Sequence, residues 1–354
     1  MTFKKVLIIG LGFAGNRFLR VFSFFNQSLL NEKYEIGFVD NDPNKLLNAK
    51  NHRCFQNIDD ALENFSPDIA VVTVNEKYHF EILQKLLTTK TQLILCEKPL
   101  VENMLQALVI HEKAGSKHIN INMVERFSPI IQAFFEWKKQ HKDLKTSRVE
   151  FFWGKNRVKD TRHTIGVISE IIHPLDLVKY IFGYKKIEIT NAISTKSDFS
   201  ISDEFLIDSL DLIATADEYT ILGHSSFMWT KRHREITGFL KHSTGMYRVN
   251  FNFDKPSWDC DQLIIDHFLP TGEIKTVFEY QTTNNDFPQS LHKIYKVSEF
   301  VRHSINVILN ESKNKEQIVN LSEAVQLQQL LEKLVTVSGN NFINQSSLFN
   351  KQLV

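Results

Sequence analysis

The chain has 354 residues and a formal net charge of +1, with 42% hydrophobic and 23% charged residues. At roughly 100–200 residues per domain this length predicts two ordinary globular domains, and a charge so near zero argues against a general nucleic-acid binder or a polybasic membrane-surface protein. No apolar run reaches the roughly 18 residues that a bilayer span needs, and the three cysteines, Cys54, Cys96 and Cys260, are too few and too scattered for a disulfide framework or a metal knuckle.

The first apolar run, Val6–Ile9, is too short for a signal peptide. The cytoplasm is therefore the expected location, and triplets such as Asn26-Gln27-Ser28 carry no glycosylation meaning. Further short runs at Ile36–Val39, Ile69–Val74, Leu93–Cys96 and Ile119–Ile121 read as buried strands. Between them Asp59–Phe65, the segment His79-Ile82-Leu83-Leu86-Leu87 and Glu102–Ala114 carry a helical period. This alternation predicts a doubly wound parallel α/β domain over residues 1–124. From 125 to 354 the pattern changes. A helix is expected at Ile130–Lys139, then strands at Arg148–Trp153, Phe205–Ile213, Thr220–Trp229, Ile236–Lys241, Met246–Phe253, Leu263–Phe268 and Ile274–Tyr280. Pro270-Thr271-Gly272-Glu273 reads as a hairpin turn. The tail from about Lys315 to Val337 reads as one helix, with Val319, Ala324, Leu327, Leu330, Leu331 and Leu334 on one side. The expected architecture is α/β: a Rossmann-type domain followed by an α+β domain with a mainly antiparallel sheet.

Gly10-Leu11-Gly12-Phe13-Ala14-Gly15 follows the first strand and opens a helical segment. The first glycine permits a tight turn, the second lets backbone approach a pyrophosphate, and the third packs helix on strand. The helix N-terminus, Phe13 and Ala14 included, then offers N–H groups to phosphate. The second strand ends at Asp40, where a carboxylate bonds the adenosine ribose of NAD and repels the 2′-phosphate of NADP. Asp40 also reads as a plain turn acid, because Asn41-Asp42-Pro43 is a turn signal, and Asn41 or Lys45 would shift the choice toward NADP. Lys98, in Leu95-Cys96-Glu97-Lys98-Pro99-Leu100, stands where a buried strand runs out, the edge at which open α/β sheets bind ligands. A buried lysine there has a lowered pKa and can share a proton with a substrate oxygen. Read from spacing alone, a solvated Glu97-Lys98 pair before a helix-initiating proline is the favoured reading.

Gly10–Gly15, Asn75 with His79, Glu97-Lys98-Pro99, Glu125-Arg126-Phe127-Ser128-Pro129 and Gly166–Asp176, in this order, resemble the glucose–fructose oxidoreductase/inositol dehydrogenase (Gfo/Idh/MocA) family over nearly the whole chain. The resemblance implies a Rossmann domain plus an open-faced antiparallel sheet. It also implies hydride transfer between a nicotinamide cofactor and a carbon bearing oxygen or nitrogen. It assigns Asn75, His79 and Glu97 to the cofactor side, Lys98 as catalytic lysine and His173 as proton-transferring histidine, with Asp176 orienting. Members that oxidise sugar alcohols carry an Asp four residues before that histidine. Here the position is Ser169, and Glu170 is rotated about 100° from it on a helix. Pro174 inside such a helix clashes with the Glu170 carbonyl.

The stretch Trp153–His163 carries Lys155, Arg157, Lys159 and Arg162 against Asp160, suited to a carboxylate or phosphate or, equally, to a solvated basic loop or a subunit contact. Arg126, Trp153, Lys155, Arg157, Arg162 and Ser169 are the substrate-side candidates, and Phe127, Tyr247 and Trp258 are further aromatic ones. Lys231-Arg232-His233-Arg234 reads as a strand end or turn without a ligand. The expected function is a cytoplasmic NAD(P)-dependent oxidoreductase acting on a small polar, sugar-derived or anionic substrate. By the resemblance it is a homodimer or homotetramer, and no metal, nucleic acid or membrane is expected as partner. A non-catalytic nucleotide-sensing protein and a C=N reductase are the competing readings.

Overall fold

The computed structural model describes residues 5–28, 33–47, 52–158, 160, 164–197, 206–309, 315–339 and 343–344. The chain divides into two compact units, Met1–Phe127 with Pro288–Gln329, and Ser128–Phe287 with Leu330–Val354.

In the first unit β1 (Lys5–Ile9), α1 (Phe13–Ser28), β2 (Glu35–Val39), α2 (Pro43–Leu47), β3 (Arg53–Phe55), α3 (Ile58–Phe65), β4 (Ile69–Val72), α4 (His79–Leu87), β5 (Leu93–Cys96), α5 (Met104–Lys113) and β6 (His118–Ile121) follow one another. The strands lie parallel in the order β6-β5-β4-β1-β2-β3. Every residue of β4 and β5 is buried, as expected of strands covered on both faces. Asparagines start two of the helices. Asn57 accepts from the Asp60 N–H at 2.8 Å and Asn103 from the Gln106 N–H at 3.0 Å, each satisfying an orphan donor of the first turn.

The second unit contains α6 (Pro129–Gln140), β7 (Lys145–Asn156), α7 (Ile168–Phe182), β8 (Ile187–Ser197), β9 (Leu206–Ala216), β10 (Tyr219–Ser226), β11 (Met228–His242), β12 (Gly245–Asn252), β13 (Gln262–Phe268) and β14 (Ile274–Gln281). They form one sheet in the order β14-β13-β12-β11-β7-β10-β9-β8. The β7–β10 pair is parallel and the other pairs of this run are antiparallel. Along β7 the side chains of Val149, Phe151 and Trp153 are buried while Phe152 is exposed, the alternation of a sheet with two different faces. The predicted hairpin joins β13 to β14. Leu269 N–H donates to Glu273 O, and Gly272 sits at φ +87°, a region favouring glycine.

The chain then returns to the first unit with α8 (Tyr295–Ile308) and β15 (Val319–Asn320), and the unit boundary falls within α9 (Leu321–Gly339), before β16 (Ile343–Asn344) pairs parallel with β8. β15 joins β6 antiparallel through Val319 and Ile121. α8 inserts Val297, Phe300 and Val301 into the core formed by Val6, Ile8, Phe18, Phe22 and Phe127. Phe300 meets Phe18 at 6.4 Å and Phe127 at 5.9 Å between ring centroids, both edge to face.

Several elements differ from those expected. The final helix begins at Leu321, not near Lys315, because Val319–Asn320 is drawn into the sheet by β6. The run Thr220–Trp229 breaks at Phe227 into β10 and β11, and Lys231–Arg234 lies inside β11. β3, β8 and α8 stand where no element is predicted. In β8 a register shift between Ile189 and Asn191 moves the inward set from Ile187 and Ile189 to Ala192 and Ser194, so its two-residue period breaks midway. Among the described residues no helix is long and apolar enough to cross a membrane.

Candidate functional site

The glycine loop runs from the end of β1 into α1. Gly10 has φ +97°, and a Cβ there would lie 3.0 Å from the Thr73 carbonyl. A Cβ on Gly15 would lie 1.9 Å from the Gly10 oxygen. Gly12 behaves differently: a Cβ there meets no atom within 4 Å, and the residue lines a cavity of about 440 Å³ with Gly10, Asp40, Lys45, Thr73 and Asn75. Gly10 thus serves the turn and Gly15 the packing, while Gly12 leaves open space at the cavity. The space in front of Gly12, at the N-terminus of α1, fits a pyrophosphate. Phe13 and Ala14 open α1; the Phe13 side chain is 65% exposed.

Thr73, just past β4, was not singled out from the sequence. Its hydroxyl donates to Ile9 O at 3.0 Å and Gly10 O at 2.7 Å, tying β4 to the loop. Its signal was a lone hydroxyl ending the buried run Ile69–Val72. Asp40 is 7% exposed. Its Oδ2 accepts the Leu11 N–H at 2.7 Å, its Oδ1 accepts the Asp42 N–H at 2.9 Å, and Lys45 Nζ lies 3.2 Å from both oxygens. The carboxylate therefore fixes the glycine loop as well as the turn that follows β2.

Asn75 lines the cavity and accepts from the Lys77 N–H at 3.2 Å, capping a short 3₁₀ turn. His79 does not line it. Its ring is buried, with Nδ1 2.9 Å from Pro99 O and Nε2 3.2 Å from Val74 O, so it braces the residues after β4 against those after β5. Glu97 accepts from Asn122 Nδ2 at 2.7 Å. Lys98 is partly buried two residues past β5, and neither residue lines the cavity. Burial, with the Glu97 carboxylate second, pushes the neighbouring Cys96 thiol well above its usual range.

In the second unit His173, Asp176 and Ser169 all lie on α7 and are buried. The His173 ring is 6.0 Å from Trp153, nearly parallel at 26°. The Ser169 hydroxyl donates to Gly166 O at 2.9 Å and lies 3.0 Å from Thr164 Oγ1. Glu170 does turn elsewhere: it is 1% exposed and pairs with Lys155 and, at 2.7 Å, with Arg234. Arg234 also reaches Asp254 at 3.1 Å and stacks its guanidinium 4.8 Å over Trp153. Asp254 takes Arg232 as well, at 2.8 Å. Arg157 pairs with Asp160 at 3.0 Å. Arg232 and Arg234 of β11 are thus counterions of a buried network.

Arg126 is buried in the first unit, donating to Glu316 O at 2.9 Å and pairing with Glu323 at 3.5 Å, which places it with the returning C-terminal segment. Arg162 lies outside the described residues. Tyr247 stacks on His267 at 4.2 Å and Trp258 on Arg232 at 3.8 Å; Phe127 is core. A second hollow, of about 630 Å³, lies on the sheet face carrying the exposed side chains Phe152, Ile193 and Ile213.

Residues 4–124 match the oxidoreductase family GFO_IDH_MocA, described as an NAD-binding Rossmann fold. No curated protein matches the sequence. Among solved structures, UDP-N-acetylglucosamine 3-dehydrogenase GnnA from Acidithiobacillus ferrooxidans is similar at 15% identity with a TM-score of 0.69, over 96% of this chain and 99% of that one. The WlbA dehydrogenase from Bordetella pertussis, solved with NADH and UDP-GlcNAcA, is similar at 13% identity and TM-score 0.71, over 96% of each chain. Levoglucosan dehydrogenase in its apo form gives 12% and 0.73, over 97% of this chain and 98% of that one. At such identities these likenesses speak to the fold, which is shared from end to end. The first domain thus matches the NAD-binding Rossmann model of the Gfo/Idh/MocA oxidoreductase family directly, and the whole chain shares its fold with these dehydrogenases.

Proposed function

We propose that the chain moves a hydride between nicotinamide and an oxygen-bearing carbon of a small polar substrate, sugar-derived or anionic, in the cytoplasm. The observation that carries this reading is the cavity at the carboxyl ends of β1, β2 and β4, which has an open glycine at its base and a buried carboxylate at its rim. Gly10, Gly12 and Gly15 would present loop backbone to the pyrophosphate, and Asp40 would take the adenosine ribose. The bound cofactor supplies or accepts the hydride. Lys98 would donate a hydrogen bond to the substrate oxygen, His173 would exchange its proton, and Asp176 would keep the histidine oriented.

The substrate class is supported by the similar enzymes, one named for UDP-N-acetylglucosamine and another solved with UDP-GlcNAcA. Lys155 and Arg157 each have a carboxylate partner, so an anionic substrate would compete with Glu170 or Asp160 for them. The exposed apolar side chains on the open sheet face support a homo-oligomer formed through that face.

The test is Lys98→Met, assayed by NADH absorbance across a panel of nucleotide sugars, sugar alcohols and hydroxy acids. The expected result is a loss of turnover of about 10²–10⁴-fold with NADH affinity unchanged. Retained turnover would remove the lysine from the chemistry. NADH binding without turnover of any panel member by the unmodified protein would favour nucleotide sensing instead.

A further inference from the structure

We infer that Lys45 is a movable counterion that lets this pocket accept either nicotinamide dinucleotide, by deciding how the site treats a phosphate on the adenosine ribose. The inference rests on the dinucleotide reading of the cavity and goes beyond it to a specificity-determining residue.

The geometry around Asp40 is asymmetric. Two of its partners, the N–H groups of Leu11 and Asp42, are backbone and hold one carboxylate oxygen each. The third, Lys45 Nζ, spans both oxygens at 3.2 Å from the end of a flexible stem. The two side chains differ as much in exposure, Asp40 at 6% and Lys45 at 43%. A carboxylate offers about four acceptor positions, and here the backbone and the ammonium occupy them. A ribose diol approaching Asp40 brings hydroxyl donors, so it takes the acceptor positions that Lys45 gives up. Lys45, the exposed member of the pair, gains little from holding a flexible side chain in one place and separates more readily than the backbone donors.

A 2′-phosphate meets the opposite situation. A bare Asp40 would repel it, but the Asp40–Lys45 pair is neutral, and the ammonium can swing from carboxylate to phosphate without leaving the rim. Among the described residues that line the cavity, Lys45 is the only cation. Glu81, the other lining carboxylate, is paired with Lys85 at 3.4 Å. The phosphate of NADPH therefore has one cationic side chain among the described lining residues to bind, through a charge-assisted hydrogen bond.

The experiment titrates purified full-length protein with NADH and with NADPH, by nicotinamide fluorescence, at low and high salt. It compares the unmodified chain with Lys45→Met and Lys45→Arg. The unmodified chain is expected to bind the two nucleotides within about tenfold of each other. Lys45→Met should weaken NADPH by about tenfold or more while NADH stays the same or tightens, and Lys45→Arg should keep both. The salt dependence of NADPH binding should drop in Lys45→Met alone. A ratio of affinities that Lys45→Met moves by less than tenfold, or an unmodified chain that binds NADPH more than tenfold more weakly than NADH, overturns the inference and leaves NAD binding standing. Binding of neither nucleotide by folded protein removes the dinucleotide reading itself.

Discussion

The cradle of the first unit and the α7 network of the second solve the same problem, holding polar groups away from bulk water, by opposite means. Around Gly10–Gly15 the working parts are backbone groups and absent side chains, with Asp40 anchoring the loop through a single N–H. Under α7 the working parts are long charged side chains, Lys155, Glu170, Arg234, Asp254 and Arg232, each held by its neighbour. A site made of backbone is sensitive to any added atom and leaves a local mark in the sequence. A site made of ion pairs is sensitive to any removed atom, and its members are scattered: Glu170 and Arg234 are 64 residues apart.

That contrast breaks down if the following outcomes fail, taken in order of size. Glu170→Ala removes the buried carboxylate that Lys155 and Arg234 share, leaving Arg234 to share Asp254 with Arg232, and should cost about 3–5 kcal/mol in urea unfolding. Glu136→Ala, which opens the exposed Lys139 pair, should cost under about 1 kcal/mol. Equal losses would mean that the buried network is no tighter than a surface one. Gly15→Ala should cost about 3 kcal/mol, since its methyl has nowhere to go but the Gly10 oxygen. Gly12→Ala should leave stability within about 0.5 kcal/mol while weakening NADH about tenfold, roughly 1.4 kcal/mol. An alanine at Gly12 that binds NADH normally would move the pyrophosphate elsewhere. The smallest effect is chemical. Iodoacetamide should label Cys54 in the folded chain and spare Cys96 and Cys260, which are buried. Labelling at Cys54 should be slow at neutral pH, because partial burial raises its thiol pKa.

The same contrast explains what could be read in advance. The strands of the Rossmann sheet were legible because burial on both faces forces unbroken apolar runs, and the glycine loop because Gly10 and Gly15 have no room for a side chain. The place of Asp40 at the end of β2 was legible, but its hold on the Leu11 N–H was not. The tie from Thr73 to the loop was not, since a hydroxyl ending a strand has many uses. α8 was readable, as Val297, Phe300, Val301 and Ile305 repeat at helical spacing. β8 was not, because its bulge reverses the alternation halfway. Arg126 shows the limit most clearly: an arginine in a motif reads as a ligand-binding cation, and only the fold reveals that Glu316 and Glu323, some 190 residues on, occupy it.

The return of Pro288–Gln329 to the first unit also bears on how the protein is made. Eight strands of the second unit's sheet have been translated by Gln281. The hydrophobic side of the first unit, where Phe18 and Phe127 await Phe300, stays uncovered until α8 has left the ribosome, and β6 lacks its edge partner until Asn320. Domains usually mature in the order of their synthesis. Here the portion that begins the polypeptide is completed by a segment made after the body of the second, and a gene cut after Phe127 would release a nucleotide-binding half with its apolar flank open to water.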